Sequence, residues 1–397
     1  MDIIKADFVV TTPMFLGAGS AGAGKQPSCA DTIRGSSIKG ALRAAYRALN
    51  WSRIRLAAGN DEQALRQLHA DEAVIFGSAV KDDKGGQASF LLRVKSSEIK
   101  PQREISGNSD ALNYLLGMGL YHFRNGMLRD HIPAETAFTL ELAIKPSLSR
   151  EQKQQLQDCL LFWGLTGGLG SRARKGFGSV SMTSLTVSGK ETALPTTKQE
   201  YGALLQQLLG KERAPGIAPF TAVSQQTSMQ ISGEDRNALE LLKRHGREMA
   251  MYRGYGNNGM TLGQPAEKNF KGDHDWAYAL SKREADASYL PMRTVFGLPH
   301  PYFLSGAMFN VAVDADMRGN LTRRASPLFA HVHRFPNGQH LLLHTLYRSQ
   351  FLPDSLDVRV NTKAQSYKLS SIDKKIDWSV LDKFLDRFAN REIIIHG

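Results

Sequence analysis

Apolar positions along the first half of the chain follow two alternating rhythms. Residues 3–11 (Ile-Ile-Lys-Ala-Asp-Phe-Val-Val-Thr) are rich in β-branched side chains and read as a strand. A loop of Gly and Ala fills 13–27. From 36 to 50 the spacing becomes helical: Ile38, Leu42, Ala45 and Leu49 share one face and Ser36 can cap the start. Lys39, Arg43 and Arg47 recur every four residues along a second, basic face. Strands are expected at 74–76 and 89–94, flanking a polar turn at 81–87, and at 138–144, where Phe138, Leu140, Leu142 and Ile144 alternate. A helix over 149–163, capped by Ser149 or Ser147, leads into a Gly-rich basic loop at 164–178 and a closing strand at 179–187. The order strand, helix, strands, helix, strand is that of a split βαβ, or ferredoxin-like, unit, with a long insertion at about 50–133.

The second half repeats this rhythm less clearly. The polar stretch 188–198, with Pro195, reads as a linker, and 210–219 as a second joint. Strands are expected at 222–231, 308–313, 330–333 and 340–347. Helices are expected at 235–252, with Leu239, Leu242 and Met249 on one face, and at 377–388, with Leu381, Phe384, Leu385 and Phe388 on one face. The expected architecture is α+β: two ferredoxin-like domains in tandem, 1–190 and 191–397, with loop and helical insertions.

Composition narrows the function. A length of 397 residues suits two to three domains, and 42% hydrophobic with 22% charged residues excludes long disorder. Fifty Lys and Arg against 38 Asp and Glu give a net charge of +12, which favours an anionic partner, nucleic acid ahead of an anionic membrane. Cys29 and Cys159 are too few for a Cys-rich zinc site or a disulfide scaffold and fit a reducing compartment. No apolar run approaches the ~18 residues of a membrane span, and the start carries acids where a signal peptide carries bases. A cytoplasmic location and no membrane partner are expected.

The most specific motif is Gly168-Leu169-Gly170-Ser171-Arg172-Ala173-Arg174-Lys175-Gly176-Phe177-Gly178, in which two Gly-hydrophobe-Gly units bracket five residues holding three cations. Glycines admit positive φ and close backbone approach, and free N–H groups in such a loop can form a phosphate nest. With Arg172, Arg174 and Lys175 beside it, the loop is expected to grip a nucleic-acid backbone without reading its sequence. Arg34, Lys39 and Arg43 cluster at the start of the first helix, whose N-terminal N–H groups also suit phosphate.

This frame resembles the signature loop of the CRISPR RAMP superfamily. Thr12-Pro13-Met14-Phe15-Leu16-Gly17, followed by Ile33-Arg34-Gly35-Ser36-Ser37-Ile38-Lys39-Gly40-Ala41-Leu42-Arg43, is similar to a stretch of the first-subunit family of type III-B (Cmr) effector complexes. Phe76-Gly77-Ser78 resembles a short RAMP element, and Arg323-Arg324-Ala325-Ser326-Pro327-Leu328 a late element of the same subunit family. Gly17-Ala18-Gly19-Ser20-Ala21-Gly22 is longer and richer in glycine than the family pattern. The resemblance implies a non-catalytic, cofactor-free RNA-binding subunit at the head end of a helical assembly. Its partners would be the 3′ region of a guide RNA, the matching end of a single-stranded target RNA and other RAMP subunits, with target cleavage left to a different subunit. The expected RNA-binding residues are Arg34, Lys39, Arg43, Gly168, Gly170, Arg172, Arg174, Lys175, Gly176, Gly178, Arg323 and Arg324.

Other motifs lead elsewhere and are weaker. The segment 17–22 fits G-x-G-x-x-G after a strand, yet no helix pattern starts in it, as a dinucleotide site requires. The segment 19–26 approaches a P-loop, but Gln26 stands where Ser or Thr holds Mg²⁺ and Pro27 follows. His331 and His333 share one face of a strand, followed by His340 and His344, and His274-Asp275 is an HD pair; packing or RNA stacking is favoured over a metal shell. Tyr252-Arg253-Gly254-Tyr255-Gly256 reads as a second RNA loop. Two rival functions stay open: a metal-independent, guide-processing endoribonuclease, and a subunit that docks mainly to protein.

Overall fold

The computed structural model describes residues 2–17, 32–79, 86–285, 289–304, 311–317, 319–362, 366–369 and 376–397. Most of the glycine-rich stretch 13–27, Cys29, most of the polar turn 81–87, the first residues of the strand expected at 308–313 and Arg318 lie outside them.

The first half runs β1 (Asp2–Val10), α1 (Gly35–Ala58), α2 (Asp61–Phe76), β2 (Phe90–Ser96), α3 (Asp110–Leu116), β3 (Tyr121–His122), β4 (Gly126–Met127), β5 (Ala137–Ile144), α4 (Arg150–Thr166), β6 (Val180–Val187) and β7 (Lys190–Glu191). An antiparallel sheet joins these strands in the order β2-β5-β1-β6-β7. Helices α1 and α4 pack together over it, burying Ile38, Leu42, Tyr46, Leu156 and Leu160 against Phe8, Phe138 and Leu140. Phe8 lies 5.2 Å from Phe138 and 5.0 Å from Trp163, ring to ring.

Helix α1 continues past Asn50 because Trp51 and Ile54 extend its buried face; it stops at Gly59, whose φ of 78° closes the end on Arg55. The strand expected at 74–76 is instead the last turn of α2. Asn60 caps that helix by accepting from Gln63 N at 2.9 Å, and Ala64, Leu68 and Ile75 bury at helical spacing. A three-residue apolar run does not distinguish strand from helix end; the cap fourteen residues earlier does.

The second half runs α5 (Lys198–Leu209), β8 (Thr227–Asp235), α6 (Ala238–Arg253), β9 (Met260–Thr261), β10 (Gln264–Pro265), α7 (Lys271–Ser281), β11 (His300–Tyr302), β12 (Val311–Met317), β13 (Asn320–Thr322), β14 (Leu328–Arg334), β15 (His340–Tyr347), β16 (Asp357–Asn361), β17 (Ser366–Leu369), α8 (Ser379–Leu385) and β18 (Glu392–Ile395). Its main sheet has the order β14-β15-β8-β18, all antiparallel, with α6 following the first strand and α8 preceding the last. The strand expected at 222–231 starts later, at Thr227, since residues 222–226 form a turn closed by Thr227 and Ser224. Segments inserted on either side of the β14–β15 hairpin meet in a third sheet, β11-β12-β16-β17, with β13 beside β12. The fold is mixed α+β with antiparallel sheets, as expected.

The two halves share core. Phe15, Leu112, Leu115 and Phe177 bury in one cluster with Leu242, Val332 and Phe384, and Phe162 and Leu165 of α4 bury with Tyr201, Met229 and Leu341.

Candidate nucleic-acid interface

The N-terminal end of α1 opens into a cleft of about 670 Å³ lined by Gly35, Ser36, Lys39, Arg43, Gln87 and Lys145, among others, and by no carboxylate among the described residues. Among the described residues no side chain caps α1 and no acid occupies its first turn, so none of them opposes the positive end of the helix. Lys39 lies part-buried with its ammonium 5.9 Å from the Phe90 ring. Burial first, then the charge of Arg43, lowers its pKa. An anion in the cleft would relieve both. Arg34 turns away from the helix to donate to Gly17 O at 2.6 Å.

Arg43 is shared with the protein. Its Nε lies 2.6 Å from Glu72 Oε1 and its Nη2 donates to Gly77 O at 3.2 Å. Arg47 binds the same carboxylate, with Nη2 2.8 Å from Oε1. Glu72 is buried in α2, and burial alone would raise its pKa; Arg47 and Arg43 hold it below the ordinary value. Sequence reading missed Glu72 because an acid within an amphipathic helix carries no local mark of its partner. It missed Lys145 for a similar reason: the residue follows β5, far along the chain from α1, and only the sheet brings it to the cleft.

The glycine loop sits at the joint between the halves. Ala330 N on β14 donates to Arg174 O at 2.9 Å, Val332 N to Ser179 Oγ at 3.1 Å and Arg334 N to Ser181 Oγ at 2.8 Å. The expected nest of free N–H groups is not what the loop forms. The N–H groups of Leu169, Ser171, Lys175, Gly176 and Gly178 donate to the carbonyls of Gly178, Phe15, Arg172, Ala173 and Pro13. Gly170 (φ 86°) and Gly178 (φ 63°) are there for close approach: a Cβ would lie 2.6 Å from Phe15 O at the first and 2.1 Å from Leu169 O at the second. At Gly168 it would meet Gly178 O at 2.8 Å, and at Gly176 Leu242 Cδ1 at 2.8 Å.

The loop cations reach main-chain carbonyls. Arg172 donates to Leu116 O at 2.8 Å and Met118 O at 2.9 Å; burial and the nearby charges of Arg323 and Arg129 lower its pKa. Arg174 donates to Ser326 O at 2.6 Å, with its guanidinium 4.5 Å from the Phe329 ring centre, and burial followed by Arg324 lowers its pKa to about 10. Lys175 donates to Leu115 O at 3.1 Å, and burial, then Arg253 and Arg172, lower its pKa to about 7. Arg324 is a post of the second half, donating to Ala325 O at 3.1 Å and Ser349 Oγ at 3.2 Å, whereas Arg323 is exposed. The structure thus gathers Lys39, Arg43 and Lys145 at one cleft, and Arg172 with Arg323 and Arg129 at a second basic patch. In the segment read as a second RNA loop, Tyr255 stacks on His274 at 3.6 Å.

His245 and the histidines of the 331–344 run are packed. His344 bridges His245 (2.9 Å) and Ser232 Oγ (2.7 Å), while His331 and His333 are buried. Among the described residues no group of three or more His, Cys, Asp or Glu is placed to hold a metal ion, and no helix is long and apolar enough to cross a membrane.

With the fold and the glycine-framed loop described, the RAMP superfamily model is found to match residues 7–181 of the chain, a little under half of it. Among solved structures, the chain is similar along its full length to Cmr1 from Pyrococcus furiosus in its apo form, at 18% identity and a TM-score of 0.57, with 100% of each chain covered. It is also similar to a chain of the type III-B Cmr-β complex bound to cognate target RNA, at 11% identity, TM-score 0.52 and 98% of each chain. A chain of that complex with target RNA and AMPPnP, in the presence of ssDNA, matches at 13% identity, TM-score 0.52 and 98% of each chain. At these identities the likeness shows a shared fold. No curated protein matches the chain.

Proposed function

We propose that the protein is a non-catalytic RNA-binding subunit of a type III-B CRISPR effector, built of two ferredoxin-like units in tandem, 1–190 and 191–397. It contacts the guide RNA 3′ region, the matching part of the target, or both, beside other RAMP subunits at the head end of the assembly. The observation that carries this reading is the basic cleft at the start of α1, where Lys39, Arg43 and Lys145 gather at a helix N-terminus that no carboxylate among the described residues opposes, on a chain of net charge +12. The repeated strand order of the two main sheets supports the tandem units. The likeness to chains of RNA-bound Cmr complexes supports the partners.

Within this reading Lys39 and Lys145 carry phosphate contacts outright, with Arg34 and Arg43 at their flanks. Arg172 and Arg323 extend the path across the joint. Gly168, Gly170, Gly176 and Gly178 shape the loop, and Lys175 and Arg324 hold it, so their effect on RNA runs through the joint; Arg174 both braces the loop and borders the RNA path.

The test is binding of a labelled single-stranded RNA of about 40 nucleotides by the isolated chain across a salt series, with the RNA recovered on a denaturing gel. Binding that weakens with salt and leaves the RNA intact is expected. Lys39→Ala/Lys145→Ala should lower the salt slope by about 1.4, two contacts at ~0.7 each for a single strand. A discrete cleavage product would transfer the reading to the endoribonuclease, and no binding at low salt would transfer it to protein docking.

A further inference from the structure

A second cavity, half-enclosed and of about 240 Å³, lies between α1, α4, the glycine loop and the β14–β15 hairpin. Phe162, Trp163, Phe329 and Tyr347 supply aromatic walls, the alanines of α1 a shallow side, and Arg47 and Arg174 two cations. The volume falls below the ~300–1,000 Å³ of pockets that hold drug-sized ligands and suits a single planar ring.

Two features of this cavity are not explained by packing. Trp163 is 3% exposed, and its indole Nε1 is buried without a hydrogen-bond partner among the described residues. A buried donor without an acceptor is rare in folded proteins. The indole edge faces Gly167, where a Cβ would lie 2.6 Å from Nε1, and Gly167 itself lines the cavity. The second feature is charge. Arg174 is pressed on the Phe329 ring and donates to the Ser326 carbonyl, and no carboxylate is among the described residues that line the cavity beside it.

We propose that this cavity holds one unstacked nucleobase of a bound RNA strand, stacked on its aromatic walls, with an acceptor atom of the base opposite Trp163 Nε1 and the adjoining phosphate against Arg47 and Arg174. A sequence-tolerant RNA binder uses such slots because every base has a π-face and an acceptor edge. The position agrees with the path of the strand. Arg47 stands one turn beyond Arg43 on α1, and Arg174 two residues beyond Arg172 in the loop, so the cavity shares α1 with the cleft and the glycine loop with the Arg172–Arg323 patch. The inference rests on the RNA-binding reading given above and assigns it a base-sized site.

Ala44 is exposed on α1 and lines the cavity, so Ala44→Phe fills the slot without removing a charge. Trp163→Phe keeps most of the packing and removes the N–H. The probes are the labelled 40-nucleotide RNA and free AMP or UMP, the latter followed by quenching of the fluorescence that Trp163→Phe removes. Ala44→Phe should weaken RNA binding about 5- to 100-fold with the salt slope unchanged, as loss of one stacked base does, and should abolish quenching by the mononucleotide. Trp163→Phe should weaken binding several-fold and alter the preference among homopolymers. Salt-dependent RNA binding that neither variant changes would overturn the slot and leave the RNA reading standing. Quenching by mononucleotides without binding of the long RNA would defeat that reading and also the proposal that the base belongs to a strand. Should Ala44→Phe misfold, Trp163→Phe decides alone.

Discussion

Lys175 shows how a residue chosen for its charge can act by its burial. Its ammonium is pressed against the Leu115 carbonyl between Arg253 and Arg172, and the folded chain lowers its pKa to about 7 from an ordinary 10.5. Between pH 7 and about 10 the unfolded chain holds a proton that the folded chain does not, so unfolding takes up a proton and stability rises with pH. Below pH 7 both states are charged and the penalty of burying the ammonium is present in full. Lys175→Met removes that penalty at the expense of one hydrogen bond. It should therefore stabilise the protein by ~1–2 kcal/mol at pH 6, partial exposure being allowed for, with the gain shrinking toward pH 10. Thermal unfolding at pH 6 and pH 9 checks this; a variant whose pH slope equals that of the parent would show that Lys175 is not buried as a charge. The sequence displays Lys175 as one of three cations among glycines, and nothing local to it says that α3 lies overhead.

At the scale of elements, glycines that look alike in the sequence differ in what surrounds them. Gly178 has φ 63°, and its missing Cβ would overlap Leu169 O at 2.1 Å, so Gly178→Ala must break the loop that joins the halves. A cost of ~3 kcal/mol or more is expected, from the left-handed backbone and the clash together. Gly40 lies exposed in the interior of α1 with nothing within 4 Å of its would-be Cβ, so Gly40→Ala should stabilise by about 0.5–1 kcal/mol. Urea unfolding of the two variants reads both signs, and equal effects would mean that the loop glycines are not held by close approach. The same contrast explains what the sequence made legible. The strands of the first sheet, α4 with its Ser149 cap, and the loop itself stand out because their signals are local: period two, period 3.6, a cap, a glycine frame. The end of helix α2 reads as a strand in the sequence because its buried positions are spread over four turns between polar residues. The third sheet was hidden more deeply, since β11–β13 and β16–β17 come from insertions that acquire a common core only by meeting. At the candidate site the cations were legible as residues, while Glu72, Leu115 and Ser326, which decide how free each cation is, lie far from them in the chain.

Across the whole molecule, the halves share core, and burial acts on seven of the eleven histidines. His131, His245, His300, His331, His333, His340 and His344 all have their pKa pushed down, burial being the largest cause for each, to about 3 for His245 and His331. The sequence marked His331, His333, His340 and His344 as a run worth weighing for metal, and the reading of packing agrees with where they lie. A histidine neutral when folded and with an ordinary pKa near 6.5 when unfolded adds stability that is present above pH 6.5 and lost as pH falls toward the folded value. At pH 5 each such group forfeits about 2 kcal/mol relative to neutral pH, and two or three of them equal a large share of the ~5–15 kcal/mol that holds a protein folded. The melting temperature should therefore fall steeply between pH 6.5 and 5, well above the range where carboxylates titrate, and calorimetry in buffers of different ionisation heat should show uptake of at least two protons on unfolding at pH 5.5. His333 supplies the control: it sits among aromatic rings, 4.7 Å from Tyr201 and 5.1 Å from Phe335, with its Nδ1 unpartnered among the described residues. Phenylalanine keeps that ring packing, so His333→Phe should raise stability at pH 5 more than at pH 7.5 and lower the proton uptake by about one. Acid unfolding confined below pH 4, or a His333→Phe variant with the parent's proton uptake, would mean that these rings titrate in the folded chain and that the shared core is open to water.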